Sequence, residues 1–145
     1  MAHPEPLTHP MALYLVTGGA GFIGSHLTEA LVKRGDRVRV LDDFSSGNMA
    51  NLASLETGGF ESGAPVEILR GDIIDPDLCR QAAQGVAGVL HEAAQVSVPR
   101  SVEDPVRSYA VNVTGTLNLL EGARAAGAKR FLMAASSAAY GDSEE

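Results

Sequence analysis

Tryptophan is absent from this 145-residue sequence, and cysteine occurs once, at Cys79. A lone cysteine excludes an internal disulfide and fits a reducing compartment, so the cytoplasm is the expected location. Nothing in the sequence implies a cation or metal beside Cys79, so it reads as a small apolar helix residue and not as a reactive thiol. Lysine is confined to Lys33 and Lys129, and the 11 basic residues are outnumbered by 18 acidic ones for a net charge of −7. Without a block of clustered Lys and Arg, a phosphate-tracking surface is excluded, and neither nucleic acid nor an anionic membrane is expected as partner. No apolar run approaches the ~20 residues of a membrane span. Residues 1–11 hold Pro4, Pro6 and Pro10 but neither a basic n-region nor an apolar h-region; they are expected to form a disordered leader and not a signal peptide or anchor. The histidines His3, His9, His26 and His91 make no ligand set by spacing, so no metal is expected.

What is present is an alternation of short apolar strands and amphipathic helices. Ala12–Val16 is a continuous apolar run, the pattern of a strand buried on both faces of a parallel sheet. A glycine-rich turn follows, then a helix over 22–34 in which Ile23, Leu27 and Leu31 recur every four residues and Gly35 marks the stop. Strands are predicted over 37–41, 66–69, 86–90 and 130–135, and a second helix over 76–84 opens with Pro76. The stretch 44–64, rich in Ser, Gly and Asn, reads as a loop with one short helix near 48–55. After breaks at Ser97–Pro99 and Asp104–Pro105 comes the longest helix, 106–126, with one apolar stripe of Val106, Ala110, Val113, Leu117 and Leu120. About five strands alternating with helices predict an α/β, Rossmann-type doubly wound parallel sheet in a single domain over 12–145.

The turn Gly18-Gly19-Ala20-Gly21-Phe22-Ile23-Gly24 contains G-x-G-x-x-G. Such a pattern is common by chance, but here a buried strand precedes it, a helix follows, and an acid ends the next strand. Glycine permits a tight turn and the close approach of backbone amides to a diphosphate, and the helix N-terminus faces the anion with unpaired N–H groups. Asp42 lies 18 residues beyond Gly24, where a carboxylate can accept bonds from an adenosine ribose. No Arg or Lys follows it closely to offset repulsion of a 2′-phosphate, so NAD is expected over NADP. Asp43 either caps the following turn or helps bind the ribose.

With these residues in view, the sequence resembles the extended short-chain dehydrogenase/reductase family, the NAD-dependent epimerases and dehydratases. The resemblance runs from Ala12 to Asp142 through six ordered motifs: Thr17 to His26, Leu41 to Gly47, Gly71-Asp72-Ile73, His91-Glu92-Ala93-Ala94, Asn112 to Thr116, and Ala135 to Asp142. It implies that Gly18, Gly21, Phe22, Ile23 and Gly24 form the pyrophosphate site, with amides from Phe22 and Ile23. It further implies that Asp72 bonds the adenine amino group, that the Ile73 backbone caps the adenine edge, and that Ala93 and Ala94 line the nicotinamide side. Ser136 matches the family's catalytic Ser/Thr, which bonds the sugar oxygen being oxidised, and Ser137 could serve instead. Asn112 reads as structural, and His26 and His91 as non-catalytic.

Within the family, the segments around Ser97-Val98-Pro99-Arg100-Ser101 and Ala134-Ala135-Ser136-Ser137 resemble UDP-glucose and UDP-N-acetylglucosamine 4-epimerases, isomerases that transiently oxidise sugar C4 of a nucleotide-sugar substrate. Ser136-Ser137-Ala138 lacks the acid pair usual in dehydratases, which ranks dehydration lower; a decarboxylase and a non-catalytic dinucleotide-binding module are the alternatives. Family members use a tyrosinate base whose pKa is lowered by a Lys one helical turn on. Four residues after Tyr14, Tyr109 and Tyr140 stand Gly18, Val113 and Glu144, so no Tyr-x-x-x-Lys pair is present. The chain is therefore expected to be truncated before that helix and before the substrate domain, and to be inactive alone. Its 106–126 helix stripe is expected to lie uncovered and to offer a homodimer contact of the kind family members make.

Overall fold

The computed structural model describes residues 10–141; the greater part of the expected leader, residues 1–9, lies outside them. Five strands, β1 (Leu13–Thr17), β2 (Arg37–Asp42), β3 (Val66–Arg70), β4 (Gly88–His91) and β5 (Arg130–Met133), form one sheet in the order β3-β2-β1-β4-β5. Every pairing is parallel, with Thr17 opposite both Leu41 and His91. The chain steps outward from β1 to β3 and then returns to place β4 against the other side of β1. Strand order thus reverses between β1 and β4, where a crevice opens beyond the strand ends.

Both faces of the sheet are covered, as a doubly wound fold requires. Neighbouring residues of β1 point to opposite sides: Leu15 joins Leu41, Val89, Cys79 and Leu119, while Val16 joins Val38, Val40, Val66 and Leu31. Helix α1 (Phe22–Lys33) supplies Leu31 to the second cluster, and α2 (Pro76–Ala83) and α5 (Thr116–Ala125) supply Cys79 and Leu119 to the first. Arg39 binds β2 to its surroundings: its Nε donates to Glu67 at 2.6 Å, and its Nη1 donates to the carbonyls of Ala82 and Gln84 at 2.9 and 2.8 Å, capping the end of α2.

One helix face differs from the sequence expectation. In α1 the buried residues are Gly24, Ser25, Thr28 and Leu31, while Ile23 is 57% exposed. Gly24 occupies this face because the helix start packs directly on the glycine turn at Gly18 and Gly19. The two hydroxyls are satisfied locally, Thr28 donating to the Gly24 carbonyl and Ser25 to that of Phe22.

The predicted 106–126 helix is present over 105–125 and carries a π-helical segment in its middle. Before it, Ser97 caps a short helix, α3 (Val98–Glu103), and Asp104, at φ −134° and ψ 77°, interrupts the chain as expected and caps α4 (Pro105–Tyr109). A π-turn over Ala110–Gly115 then leads into α5. The stripe Val106, Val113, Leu117 and Leu120 is exposed, and the face turned to the core is Gly115, Leu119, Gly122 and Ala123. Small residues win because α2 crosses so near: a Cβ on Gly122 would stand 3.0 Å from the Cys79 carbonyl oxygen. Within 44–64, 3₁₀ turns occupy Met49–Leu52, as expected, and also Phe60–Ser62, which was not.

Candidate functional site

The C-terminal ends of β1, β2, β3 and β4 surround a cleft of about 230 Å³ lined by the glycine turn, by the acids that end the strands, and by residues of α3, α4 and the π-turn. Gly18 has φ +66°, and a Cβ there would lie 2.8 Å from the Ala93 amide nitrogen. The turn is therefore wedged against the chain leaving β4, a place only glycine can occupy. The Gly18 amide donates to the Leu41 carbonyl at 2.8 Å, and the Gly21 amide donates back to Gly18 at 3.0 Å. A Cβ on Gly24 would meet the Gly18 oxygen at 2.2 Å, so this glycine sets the closeness of helix and turn.

Gly21 is different. Its φ of −77° suits any residue, and a Cβ there would meet only the Gly18 oxygen, at 3.1 Å. Its emptiness lies on the cleft side. Helix α1 begins without a side-chain cap and without an acid in its first turn, and among the described residues no acceptor is recorded for the amides of Phe22, Ile23 and Gly24. Three unpaired donors at the positive end of a 12-residue helix form a ready anion site.

Asp42, 6% exposed, shapes the opposite wall. Its Oδ2 accepts from the Ala20 amide at 2.9 Å and its Oδ1 from the Phe44 amide at 2.8 Å. One carboxylate thus ties the glycine turn to the loop after β2, where Phe44 takes the left-handed φ of 59°. Asp43 caps that loop, accepting from the Ser45 amide and hydroxyl at 2.9 and 2.7 Å. Asp72 accepts from the Ile74 amide at 3.0 Å and pairs with the Arg107 guanidinium, which also stands 3.6 Å from Asp43.

Behind the cleft a directed hydrogen-bond chain joins sheet to helix. The Thr116 hydroxyl donates to the Asn112 carbonyl at 2.8 Å, leaving its oxygen to accept from His91 Nε2 at 2.9 Å. His91 Nδ1 then accepts from the Thr17 hydroxyl at 2.6 Å, and the Thr17 oxygen receives the Ala93 amide at 3.3 Å. The ring is neutral with its proton on Nε2, and burial pushes its pKa down to about 4. Glu92 beside it is raised above the usual carboxylate range by burial. Asn112 clamps the Gln95 backbone from both sides, its Oδ1 accepting at 2.8 Å and its Nδ2 donating at 3.0 Å. Cys79 is buried, donates to the Ile73 carbonyl, and is raised to about 12.

Of the residues expected at a cofactor site, Gly18, Gly21, Asp42, Asp43, Asp72, Ile73, Ala93 and Ala94 line this cleft together. Phe22, Ile23 and Gly24 are not among the lining residues; the first two have exposed side chains and Gly24 is buried. Ser136 lies exposed beyond β5 and is not among the lining residues; Ser137 opens the single turn Ser137–Tyr140. The lining also includes Ser46, Gly47, Arg100, Arg107 and Val111, which the sequence reading left unassigned. Ser46 and Gly47 could have been found from their place behind Asp42-Asp43. Arg107 carried no local signal, since its partners are 35 and more residues away.

Residues 15–145 match the family described as GDP-mannose 4,6 dehydratase. The chain is 46% identical over 117 residues to a UDP-glucose 4-epimerase of Mycolicibacterium smegmatis, covering 80% of this chain and 36% of that one. It is 41% identical over 128 residues to UDP-glucuronic acid decarboxylase 1 of Arabidopsis thaliana, covering 88% and 27%. The fold is similar, at TM-score 0.80 and 29% identity over 92% of this chain and 40% of the other, to a UDP-glucose 4-epimerase of Stenotrophomonas maltophila solved with bound NAD and formylated UDP-arabinopyranose. The chain spans between about a quarter and two fifths of the length of these relatives and of a UDP-glucose 4-epimerase of Erwinia amylovora. With turn, acids and strand order all agreeing, the chain belongs to the NAD-dependent epimerase/dehydratase family of extended short-chain dehydrogenases/reductases.

Proposed function

We propose that the cleft binds NAD and that the chain is the cofactor-binding portion of a nucleotide-sugar 4-epimerase of the UDP-glucose or UDP-N-acetylglucosamine type. The observation that carries this reading is the set of unpaired amides at Phe22, Ile23 and Gly24, opening beside an empty Cβ position at Gly21, which lines the cleft together with Asp42. The residues present fit a dinucleotide. The amides would take the diphosphate, Asp42 the adenosine ribose with Asp43 beside it, Asp72 and Ile73 the adenine, and Ala93 and Ala94 the nicotinamide side. Bound NAD would supply a hydride acceptor and donor for transient oxidation at sugar C4. The chain's own part is to hold that cofactor against the backbone of Ala93, whose amide the Thr17–His91–Thr116 chain orients.

Ser136, with Ser137 next to it, is assigned to the sugar oxygen undergoing oxidation. No Tyr-x-x-x-Lys occurs in the 145 residues, so the chain alone should not turn over; a rate like that of a complete epimerase would contradict this. The exposed face of Val106, Val113, Leu117 and Leu120 is assigned to association with a second copy, checked by sedimentation of wild type against Leu117→Glu. Similarity to a UDP-glucuronic acid decarboxylase supports decarboxylation as the second reading of the whole enzyme's activity.

The test is Gly21→Val. A Cβ at this position meets only one protein atom, the Gly18 oxygen, so the fold should be retained by circular dichroism, while the γ carbons should fill the anion cradle. NAD binding by calorimetry should disappear. Undiminished NAD affinity in a folded Gly21→Val chain would overturn the reading.

A further inference from the structure

Three carboxylates, Asp42, Asp43 and Asp72, surround the adenosine end of the cleft, and no lysine is near to balance them for an anionic ligand. The balance comes from α4. Asp104 caps that short helix by accepting from the Arg107 amide at 2.9 Å, and the Arg107 side chain reaches back across the cleft to Asp72 and toward Asp43. Arg100, the other arginine in the lining, has no ion pair recorded among the described residues.

Resting on the dinucleotide reading above, we propose that Arg107 is a cofactor-binding and specificity-determining residue: its guanidinium walls the adenosine end of the cleft and moderates the rejection of a 2′-phosphate. Two physical properties support this. A guanidinium is planar, permanently charged, and packs well on aromatic faces such as an adenine ring. By pairing with Asp72, whose other oxygen holds the Ile74 amide, Arg107 also fixes the orientation of the acceptor an adenine amino group needs. At the ribose rim its charge offsets Asp43. The sequence suggested that no base offsets the acids there, and the fold brings one from 64 positions beyond Asp43.

The experiment is calorimetry of the 145-residue chain, Arg107→Met and Arg107→Lys with ADP, NAD and NADP. Arg107 is a half-exposed surface side chain, and a melting curve confirms that each variant is folded. Arg107→Met should bind ADP and NAD about tenfold more weakly, and NADP should lose a larger factor because Asp43 is left unbalanced. Arg107→Lys should restore the NAD-to-NADP ratio, which depends on charge, without restoring full ADP affinity, which depends on the planar group. Equal weakening of NAD and NADP, or ADP affinity unchanged in Arg107→Met, would overturn the proposal and leave the cleft reading intact. A wild-type chain that binds neither ADP nor NAD would overturn both.

Discussion

His91 is 4% exposed, and burial alone lowers its pKa from 6.5 to about 4. Protonation would place a second N–H against Thr17, whose hydroxyl now donates to Nδ1, and would leave a charge with no carboxylate among its recorded hydrogen-bond partners. Because the folded pKa lies below the unfolded one, the unfolded chain takes the proton first as pH falls. The stability is therefore complete above about 6.5, is lost progressively down to about 4, and is constant below that. The shift of 6.5 − 4 = 2.5 units corresponds to about 3 kcal/mol in full, of which about 2 kcal/mol is lost between pH 7 and pH 5. That is a large fraction of the 5–15 kcal/mol typical of a domain. Urea unfolding of wild type and His91→Gln at half-unit steps from pH 7.5 to 4.5 measures it, since carboxylate titration is common to both. The stability difference between the two proteins should shrink by about 2 kcal/mol between pH 7 and 5. Parallel curves would refute the reasoning.

Other expectations follow from the same coordinates. Gly24→Ala puts a methyl 2.2 Å from the Gly18 oxygen and should destabilise the chain by about 3 kcal/mol in urea titration, with no ligand present. Gly122→Ala, 3.0 Å from the Cys79 oxygen, should force α5 off α2 and cost about 1–3 kcal/mol, whereas alanine at the exposed Leu117 should cost less than 0.5 kcal/mol in about the same assay. Asp42→Asn turns one acceptor into a donor facing a backbone N–H of Ala20 or Phe44, so it should lose about 1–3 kcal/mol of stability and also weaken NAD binding in calorimetry.

The strands and the glycine turn were legible because their signals are local. Val16, Val38, Val40 and Val66 are apolar for the plain reason that helices cover both sheet faces, and the glycine spacing follows from steric limits within a few residues of one another. Asp42 was legible for the same reason, sitting at the end of a recognisable strand. The inner face of α1 was less so. Hydrophobic periodicity assumes that the largest residues face the core, but α1 approaches the glycine turn too closely for that. In α1, Gly24 and Thr28 took the inner face and Ile23 was left outside, whereas the Leu117 stripe of the long helix is uncovered as expected. The π-turn at Ala110–Gly115 was invisible to a 3.6-residue reading, although it brings Asn112 to Gln95 and Thr116 to His91. Arg107 was out of reach because its meaning depends on partners at Asp43 and Asp72, which only the folding of the β4–β5 connection over the strand ends brings near.

The claim on which the account turns is that backbone nitrogens at the start of α1 receive a diphosphate. Amide resonances of the ¹⁵N-labelled chain, followed as NAD is added, test it at the atoms concerned. The account predicts the largest saturable shifts at Phe22, Ile23 and Gly24, with Gly18 and the amides flanking Asp42 and Asp72 moving alongside. Shifts confined to other parts of the sheet rim, or none at NAD concentrations well above millimolar, would contradict it.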